Sequence, residues 1–164
     1  MVSFPPLTVS SSIRCGRGKH CSGVIAFVDA LVFDWLIGAP DAHAKNYALM
    51  LSGRQVRLAP FFDIASALAY PDFCGPKITL AMKIGGSYRL SSIGRHALER
   101  LATELRIDPE QLLIVRARRL TERLPDVFST ICADPVIAAL DSALPNRLDH
   151  VASRSRSCIA QLGV

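Results

Sequence analysis

The sequence lacks the cysteine patterns and leader segments that mark secreted or zinc-binding proteins. Its five cysteines, at positions 15, 21, 74, 132 and 158, form no CxxC pair and are an odd number for a set of disulfides. The first 12 residues contain no basic stretch followed by an apolar one, so no secretory signal is predicted. These absences favour a protein of the reducing cytoplasm.

Long hydrophobic runs and a high density of charge are also missing. The most apolar stretch, residues 24 to 37, is too short to span a bilayer and contains Asp29 and Asp34. We therefore expect no membrane segment and interpret this stretch as a buried helix. Charged residues are only 20% of the 164 residues and hydrophobic residues are 50%, which excludes a disordered chain and predicts one globular fold.

Acidic residues are absent from the first 22 positions. This segment carries Arg14, Arg17 and Lys19, is rich in Ser, Gly and Pro, and has no periodicity, so we expect an irregular basic arm over residues 1–22. The arm accounts for most of the net charge of +5. Because the rest of the chain is close to balanced, we do not predict a nucleic-acid surface on it.

The remaining residues predict an α+β fold that is mainly α. Apolar residues recur at three- and four-residue steps from Val24 to Leu36, which predicts a helix with one apolar face that ends before Gly38. Asp-Pro pairs at 108–109 and 134–135 predict two more helix starts, and Asn146 is expected to cap a last helix that runs to Gly163. A further helix is predicted by the apolar stripe Ile93, Ala97, Leu98, Leu101, Ala102 and Leu105.

The β component is expected in two places. The segments YALML, SGR and QVRLA predict a strand, a tight turn at Gly53 and a second strand. In such a hairpin the positions of paired residues sum to about 107 to 109, as do those of Asn46 and Asp63, so these two residues should lie at the same end. A weaker strand is predicted over Lys77 to Ile84, before Gly85 and Gly86.

The stretch DAHAKN and the later Asp63 have the order of a phosphoryl-transfer site. In protein kinases an Asp orients the attacking hydroxyl, an Asn five residues later binds magnesium, and a second Asp on a following strand end binds the metal on the nucleotide phosphates. Asp41, Asn46 and Asp63 have this spacing, and the hairpin would bring them together. Lys45 would then lie near the transferring phosphate, and His43 would brace the loop.

Other interpretations of these residues remain open. Asp41 could be a helix cap or turn residue, His43 and Lys45 ordinary loop side chains, and Asp63 the start of a turn into a helical ASALAY segment. A metal hydrolase could use Asp41, His43 and Asp63 as ligands, although the other histidines are scattered. A nucleophilic Cys74 is disfavoured because no histidine is near it in the sequence.

Three segments in order, FDWLIGAPDAHAKNYALML, LAPFFDIASA and LAMKIGGSYR, resemble the C-terminal region of the HipA-like serine/threonine kinases. These are the toxins of bacterial toxin–antitoxin pairs, with motifs close to G-(N/A)-x-D-x-H-x-K-N and L-x-P-x-(Y/F)-D. The resemblance implies that Asp41 is the catalytic Asp, that Asn46 and Asp63 are the Mg²⁺ ligands, and that His43 and Lys45 surround the phosphates of ATP.

The resemblance also implies an architecture and partners. Residues 23–164 would be the helical C-terminal lobe of a two-lobed kinase that phosphorylates a protein hydroxyl, with the metal site on the small hairpin. A HipB-like antitoxin would hold it in check, so contact with nucleic acid would be indirect.

Residues 1–22 cannot supply a nucleotide-covering loop and a strand lysine, so we expect the N-terminal lobe to be absent and the truncated chain to be inactive or nearly so alone. The alternatives are half of a split kinase, completed by a separately encoded N-terminal lobe, and a non-catalytic partner-binding remnant. Ile64, Leu68 and Ile78 are the residues expected to line an exposed apolar patch for that lobe.

Overall fold

The computed structural model describes residues 21–53, 55–70 and 77–163. They form a mainly helical fold with two small antiparallel hairpins, which confirms the predicted class. Of the predicted arm, residues 1–20 lie outside the described residues, and Cys21 and Ser22 lie in the first helix. Cys74 also lies outside them.

Helix α1, Cys21–Ile37, is buried on nearly every side. The prediction of a buried helix is confirmed, but burial is not confined to the predicted stripe, because Val24 of the stripe is exposed while Asp29 and Asp34, which lie outside it, are buried. The helix is packed against the C-terminal helix, a hairpin strand and the segment near residue 116, so little of its surface faces solvent. It ends at Ile37, before Gly38 as predicted, and Gly38 has a φ of 61°.

The first hairpin follows the loop of residues 39–46. Strands β1 (Leu49–Ser52) and β2 (Gln55–Leu58) pair antiparallel from Leu49 opposite Leu58 to Ser52 opposite Gln55. The predicted register and the turn at Gly53 are therefore confirmed. Beyond β2 the expected helical segment is only a 3₁₀ turn, Ala67–Ala69.

The second hairpin joins β3 (Thr79–Ile84) to β4 (Ser87–Arg89) through Gly85 and Gly86. The predicted strand before these glycines is confirmed. Its partner, SYR, was not recognised in the sequence because three residues are too few to show a strand period.

The rest of the chain is helical. The Asp-Pro predictions are confirmed, because Asp108 Oδ1 accepts from Glu110 N at 2.9 Å and Asp134 Oδ1 accepts from Val136 N at 2.8 Å. The elements are α2 (Arg95–Glu104), a π-helical segment (Gln111–Arg118) that continues into α3 (Arg119–Cys132), α4 (Pro135–Leu140) and α5 (Leu144–Gln161).

The predicted cap of the last helix is wrong. Asn146 lies inside the first turn of α5, which begins at Leu144 and ends at Gln161 rather than Gly163. Pro145 explains the earlier start, because a proline without an N–H fits the first turn of a helix. Just before the helix, Asp141 Oδ1 accepts from Ala143 N at 3.0 Å.

Two clusters of buried side chains hold the elements together. The larger joins Trp35 and Leu36 of α1 to Leu98 of α2, Ile84 of β3 and Leu162 after α5. The smaller lies under the loop that follows α1 and consists of Ile37, Ala39, Ala42, Leu68 and Val151.

The smaller cluster corrects the predicted apolar patch. Leu68 is buried in it, and Ile64 and Ile78 are partly buried against it. Val151 of α5 supplies the partner that the sequence did not show. These three residues therefore form core, and an exposed apolar surface has to be sought elsewhere.

A buried ion pair connects α1 to the π-helical segment. Asp29 and Arg116 are both buried and in direct contact. Burial raises the pKa of the Asp29 carboxyl above its usual value, while Arg116 acts against that rise. In the described part of the chain, no helix combines the length and the apolar composition needed to cross a bilayer.

Candidate functional site

The loop from Ala39 to Asn46 starts directly at the buried end of α1. Ala39 N donates to Asp34 O at 2.8 Å, which closes the last turn of the helix. Asn46 N donates to His43 O at 2.9 Å within the 3₁₀ turn Ala44–Asn46. The loop is therefore hydrogen-bonded to α1 at its start and ends in a 3₁₀ turn.

The side chain of Asn46 joins the two acidic residues of the predicted site. It is 4% exposed, and its Nδ2 donates to Asp63 O at 3.0 Å and to Asp41 O at 3.2 Å. The predicted convergence of Asn46 and Asp63 at one end of the hairpin is therefore confirmed. Both hydrogen bonds use the amide nitrogen, which leaves the amide oxygen as the atom able to bind a cation.

Asp63 adopts a backbone conformation that non-glycine residues rarely use. Its φ is 56°, in the left-handed region. Such a conformation costs about 1 to 2 kcal/mol for an L-residue and persists where surrounding contacts impose it. Here the Asp63 carbonyl oxygen accepts from the buried Asn46 side chain, while Asp63 as a residue is exposed to solvent.

His43 contacts Asp41 through one ring nitrogen. Its Nδ1 lies 2.8 Å from Asp41 O and 2.9 Å from Asp41 Oδ1. Since both neighbours are oxygens, Nδ1 is the protonated nitrogen that donates to them. The carboxylate of Asp41 remains 67% exposed, so it can still meet a molecule that approaches the loop.

Lys45 is exposed within the same 3₁₀ turn. It forms no ion pair with any residue that the structure describes. Its ammonium group is thus available to bind an anion from solution. Lys45 directly precedes Asn46 in the sequence.

The donor set suits magnesium better than zinc. In residues 21–53, 55–70 and 77–163, no group of three or more His, Cys, Asp or Glu side chains is placed to hold a metal, so the three-ligand interpretation with Asp41, His43 and Asp63 is not supported. An amide oxygen and one carboxylate fit Mg²⁺, which takes few protein ligands and completes its shell with water and phosphate oxygens.

Two residues near this site were not singled out from the sequence. Tyr47, which follows Asn46, donates its hydroxyl to Asp34 Oδ2 at 2.7 Å. Burial raises the pKa of Asp34 to about 6, against the lowering effect of this hydrogen bond, and burial also raises the pKa of Tyr47. An acid within an apolar helix was a visible signal, but its partner 13 residues later was not.

Comparison with known families gives a match over most of the chain. The model of the HipA-like C-terminal domain matches residues 11–131. A curated protein of Sinorhizobium fredii, "Putative kinase Y4mE", is 30% identical over 147 residues, which cover 88% of this chain and 34% of that protein. The serine/threonine-protein kinase toxin HipA of Shewanella oneidensis is 30% identical over 100 residues, covering 61% of this chain and 22% of that protein.

A solved structure shares the fold. It is the complex of HipA, HipB and operator DNA from Shewanella oneidensis, with a TM-score of 0.64 and 24% sequence identity. The match covers 83% of this chain and 32% of that one. The chain thus spans about a third or less of the length of the relatives described here.

Proposed function

Because the chain belongs to the HipA-like C-terminal domain family, we propose that it is the catalytic-loop lobe of a serine/threonine protein kinase toxin. In this proposal the lobe takes part in phosphate transfer from magnesium ATP to a protein hydroxyl. The observation that carries it is the Asn46 side chain, which bonds to the backbone of both Asp41 and Asp63 and so holds the three predicted residues as one unit.

Each residue of the unit has a role in the proposed reaction. The exposed carboxylate of Asp41 orients the attacking hydroxyl and accepts its proton. The amide oxygen of Asn46 and the carboxylate of Asp63 hold Mg²⁺, which when bound neutralises charge on the phosphates of ATP. Lys45 adds a positive charge beside them, and His43 braces the loop through Asp41.

We further propose that this lobe needs a second one. Kinases also require a loop that covers the nucleotide and a lysine that pairs with its phosphates, and positioning of the nucleotide supplies much of the rate. The matched part of this chain covers 34% of the Sinorhizobium fredii relative Y4mE and 32% of the solved HipA chain. We therefore expect the 164-residue chain alone to transfer phosphate slowly or not at all.

An exposed apolar surface on the first hairpin favours the split or two-lobed form over a non-catalytic remnant. On β1, Leu49 is 65% exposed and Leu51 is 76% exposed, and Met50 between them is exposed as well. Phe61 and Phe62, which follow the hairpin, are also exposed. Apolar side chains concentrated in this way mark interaction sites. The occupant that we propose is a nucleotide-binding lobe, from an adjoining part of a longer polypeptide or from a separate chain.

The remaining partners are inferred from the family. A HipB-like antitoxin is the expected protein partner, since the solved neighbour is a complex of HipA with HipB and operator DNA. Any contact with DNA would then pass through the antitoxin. The reducing cytoplasm remains the compartment expected from the cysteine pattern.

The proposal is tested with the purified chain, Mg²⁺ and ATP labelled on its terminal phosphate. The chain is assayed alone and with the protein encoded immediately upstream, using Asp41→Ala, Asp63→Ala and the matched control Asp126→Ala, an exposed acid on α3. We expect transfer in the mixture, a loss of at least about 100-fold in the first two variants, and no change in the control.

Two results would contradict the proposed function. Transfer in the mixture that survives Asp63→Ala unchanged would place the chemistry elsewhere. Absence of transfer in both conditions, together with absence of magnesium-dependent ATP binding, would leave the partner-binding remnant as the better account.

A further inference from the structure

Among the described residues, only one of the two carboxyl oxygens of Asp34 has a hydrogen-bond partner. Asp34 is 2% exposed, and its Oδ2 accepts the hydrogen bond from Tyr47. Its Oδ1 has no hydrogen-bond partner among the described residues. The side chain borders a small cavity of about 10 Å³ together with Ala39 and Ala42, which flank Asp41 in the loop.

This arrangement is a poor way to gain stability. A buried carboxyl group that loses water at both oxygens and regains a single partner is less favourable than an apolar pair of the same size. Buried polar contacts of this kind are best attested where they specify one arrangement among several. We therefore ask which segments the contact between Asp34 and Tyr47 holds in place.

Tyr47 connects three segments that meet at the site. It follows Asn46 directly, and its ring packs edge-on against Phe27 of α1 at 5.1 Å between centroids and against Phe61 at 6.1 Å. Phe61 lies two residues before Asp63. One side chain thus links the core helix to both segments that carry the proposed magnesium ligands.

We infer that Asp34 and Tyr47 are positioning residues that set the Asn46 side chain against Asp63. The hydroxyl contact fixes the rotation of Tyr47, and the ring fixes the segment of Phe61, so that Asn46 Nδ2 reaches the Asp63 carbonyl oxygen. The use of this geometry for magnesium and nucleotide rests on the proposed function. The geometry itself can be tested without it.

The chain has only two asparagines, Asn46 and Asn146, which makes a direct measurement simple. Asparagine labelled with ¹⁵N gives two pairs of side-chain NH₂ signals, one pair from each residue, and Asn146→Asp assigns them by subtraction. Asn146 is exposed and serves as an internal reference, whereas Asn46 is buried and bonded. We expect the Asn46 side-chain protons to exchange with solvent at least about 10-fold more slowly than those of Asn146.

Tyr47→Phe removes the hydroxyl and keeps the ring. We expect Asn46 exchange to approach that of Asn146, within about 3-fold, while Tyr88→Phe, the same change at an exposed tyrosine of β4, leaves it slow. Asp34→Asn adds a third side-chain amide to the spectrum but still offers an oxygen to Tyr47, so it should keep Asn46 exchange slow. Tyr47→Phe leaves the buried Asp34 carboxyl group without its hydrogen-bond donor, which could disturb the fold by itself. The double variant Asp34→Val with Tyr47→Phe therefore measures Asn46 exchange in a chain that has neither the hydroxyl nor the carboxyl group.

The outcomes separate the inference from the proposed function. Slow Asn46 exchange in Tyr47→Phe or in the double variant, at an unchanged unfolding temperature, would overturn the positioning role. Addition of Mn²⁺ with ATP should broaden the Asn46 signal in the parent chain. Absence of that broadening would count against the magnesium site and leave the positioning role to be decided by the exchange rates.

Discussion

At the scale of single residues, Asp34 gives the site an unusual acid. Burial among apolar side chains disfavours the charged carboxylate, and the hydrogen bond from Tyr47 offsets only part of that effect, so the pKa rises from 3.8 to about 6. A group whose pKa is raised by folding contributes stability at low pH, and this contribution is lost as the pH rises through the folded value.

Asp34→Asn should therefore change how stability depends on pH. Below the unfolded pKa of 3.8 both chains carry an uncharged group, and above about 6 only the parent chain pays for a buried charge. At about 1.4 kcal/mol per pKa unit, the variant should gain up to about 3 kcal/mol relative to the parent across this interval. Chemical unfolding at pH 4, 5, 6, 7 and 8 measures it.

The parent chain and the variant share Asp29, whose pKa is also raised, so the difference between them isolates Asp34. A difference in the free energy of unfolding that stays constant from pH 4 to pH 7 would contradict the assignment. A gain that appears only above pH 7 would do so too.

The same scale shows what the sequence could reveal about the site. The order of Asp41, Asn46 and Asp63 and the hairpin between them were enough to predict that Asn46 and Asp63 meet. The left-handed φ of Asp63 could not be predicted, because no glycine marks it. The Asp34–Tyr47 contact could not be predicted either, because it depends on how α1 packs under the loop.

At the scale of elements, the second hairpin depends on close approach to α2. Gly85 and Gly53 both have left-handed backbone, with φ of 54° and 57°. A Cβ at Gly85 would overlap the backbone carbonyl oxygen of Ala97, whereas a Cβ at Gly53 would meet nothing within 4 Å. A substitution at Gly53 therefore measures backbone strain alone, whereas one at Gly85 measures backbone strain together with a steric clash against α2.

Gly53→Ala should lower the free energy of unfolding by about 1 to 2 kcal/mol, which is the cost of the left-handed conformation alone. Gly85→Ala should lower it by more than about 3 kcal/mol, because the backbone of β3–β4 must also move away from α2. Urea titration of both variants compares them. Equal losses would show that the hairpin is not packed against α2 as described.

Elements with a clear local signal were predictable and those shaped by their neighbours were not. The caps at Asp108 and Asp134 are local and were confirmed. The burial of α1 on most of its sides arises from elements distant in sequence, and so does the covering of Leu68 by α5. The start of α5 was misplaced because Asn146 competed with Pro145, and the proline signal was the stronger.

At the scale of the whole molecule, the fold is that of the C-terminal region of HipA with an apolar hairpin left in solvent. The segment between the loop of residues 39–46 and Asp63 carries four exposed apolar side chains, Leu49, Leu51, Phe61 and Phe62. A partner lobe seated there would cover apolar surface and close the proposed phosphate site in one step. Docking and catalysis would then use the same surface.

The central claim is that Asn46 and Asp63 hold Mg²⁺ for ATP. The most direct measurement is equilibrium binding of ATP to the chain with and without Mg²⁺, in the parent, in Asp63→Asn and in Asp126→Asn. The account predicts weak binding that requires Mg²⁺, falls at least about 10-fold in Asp63→Asn and is unchanged in Asp126→Asn. ATP binding that is equal with and without Mg²⁺, or equal in Asp63→Asn and the parent, would contradict it.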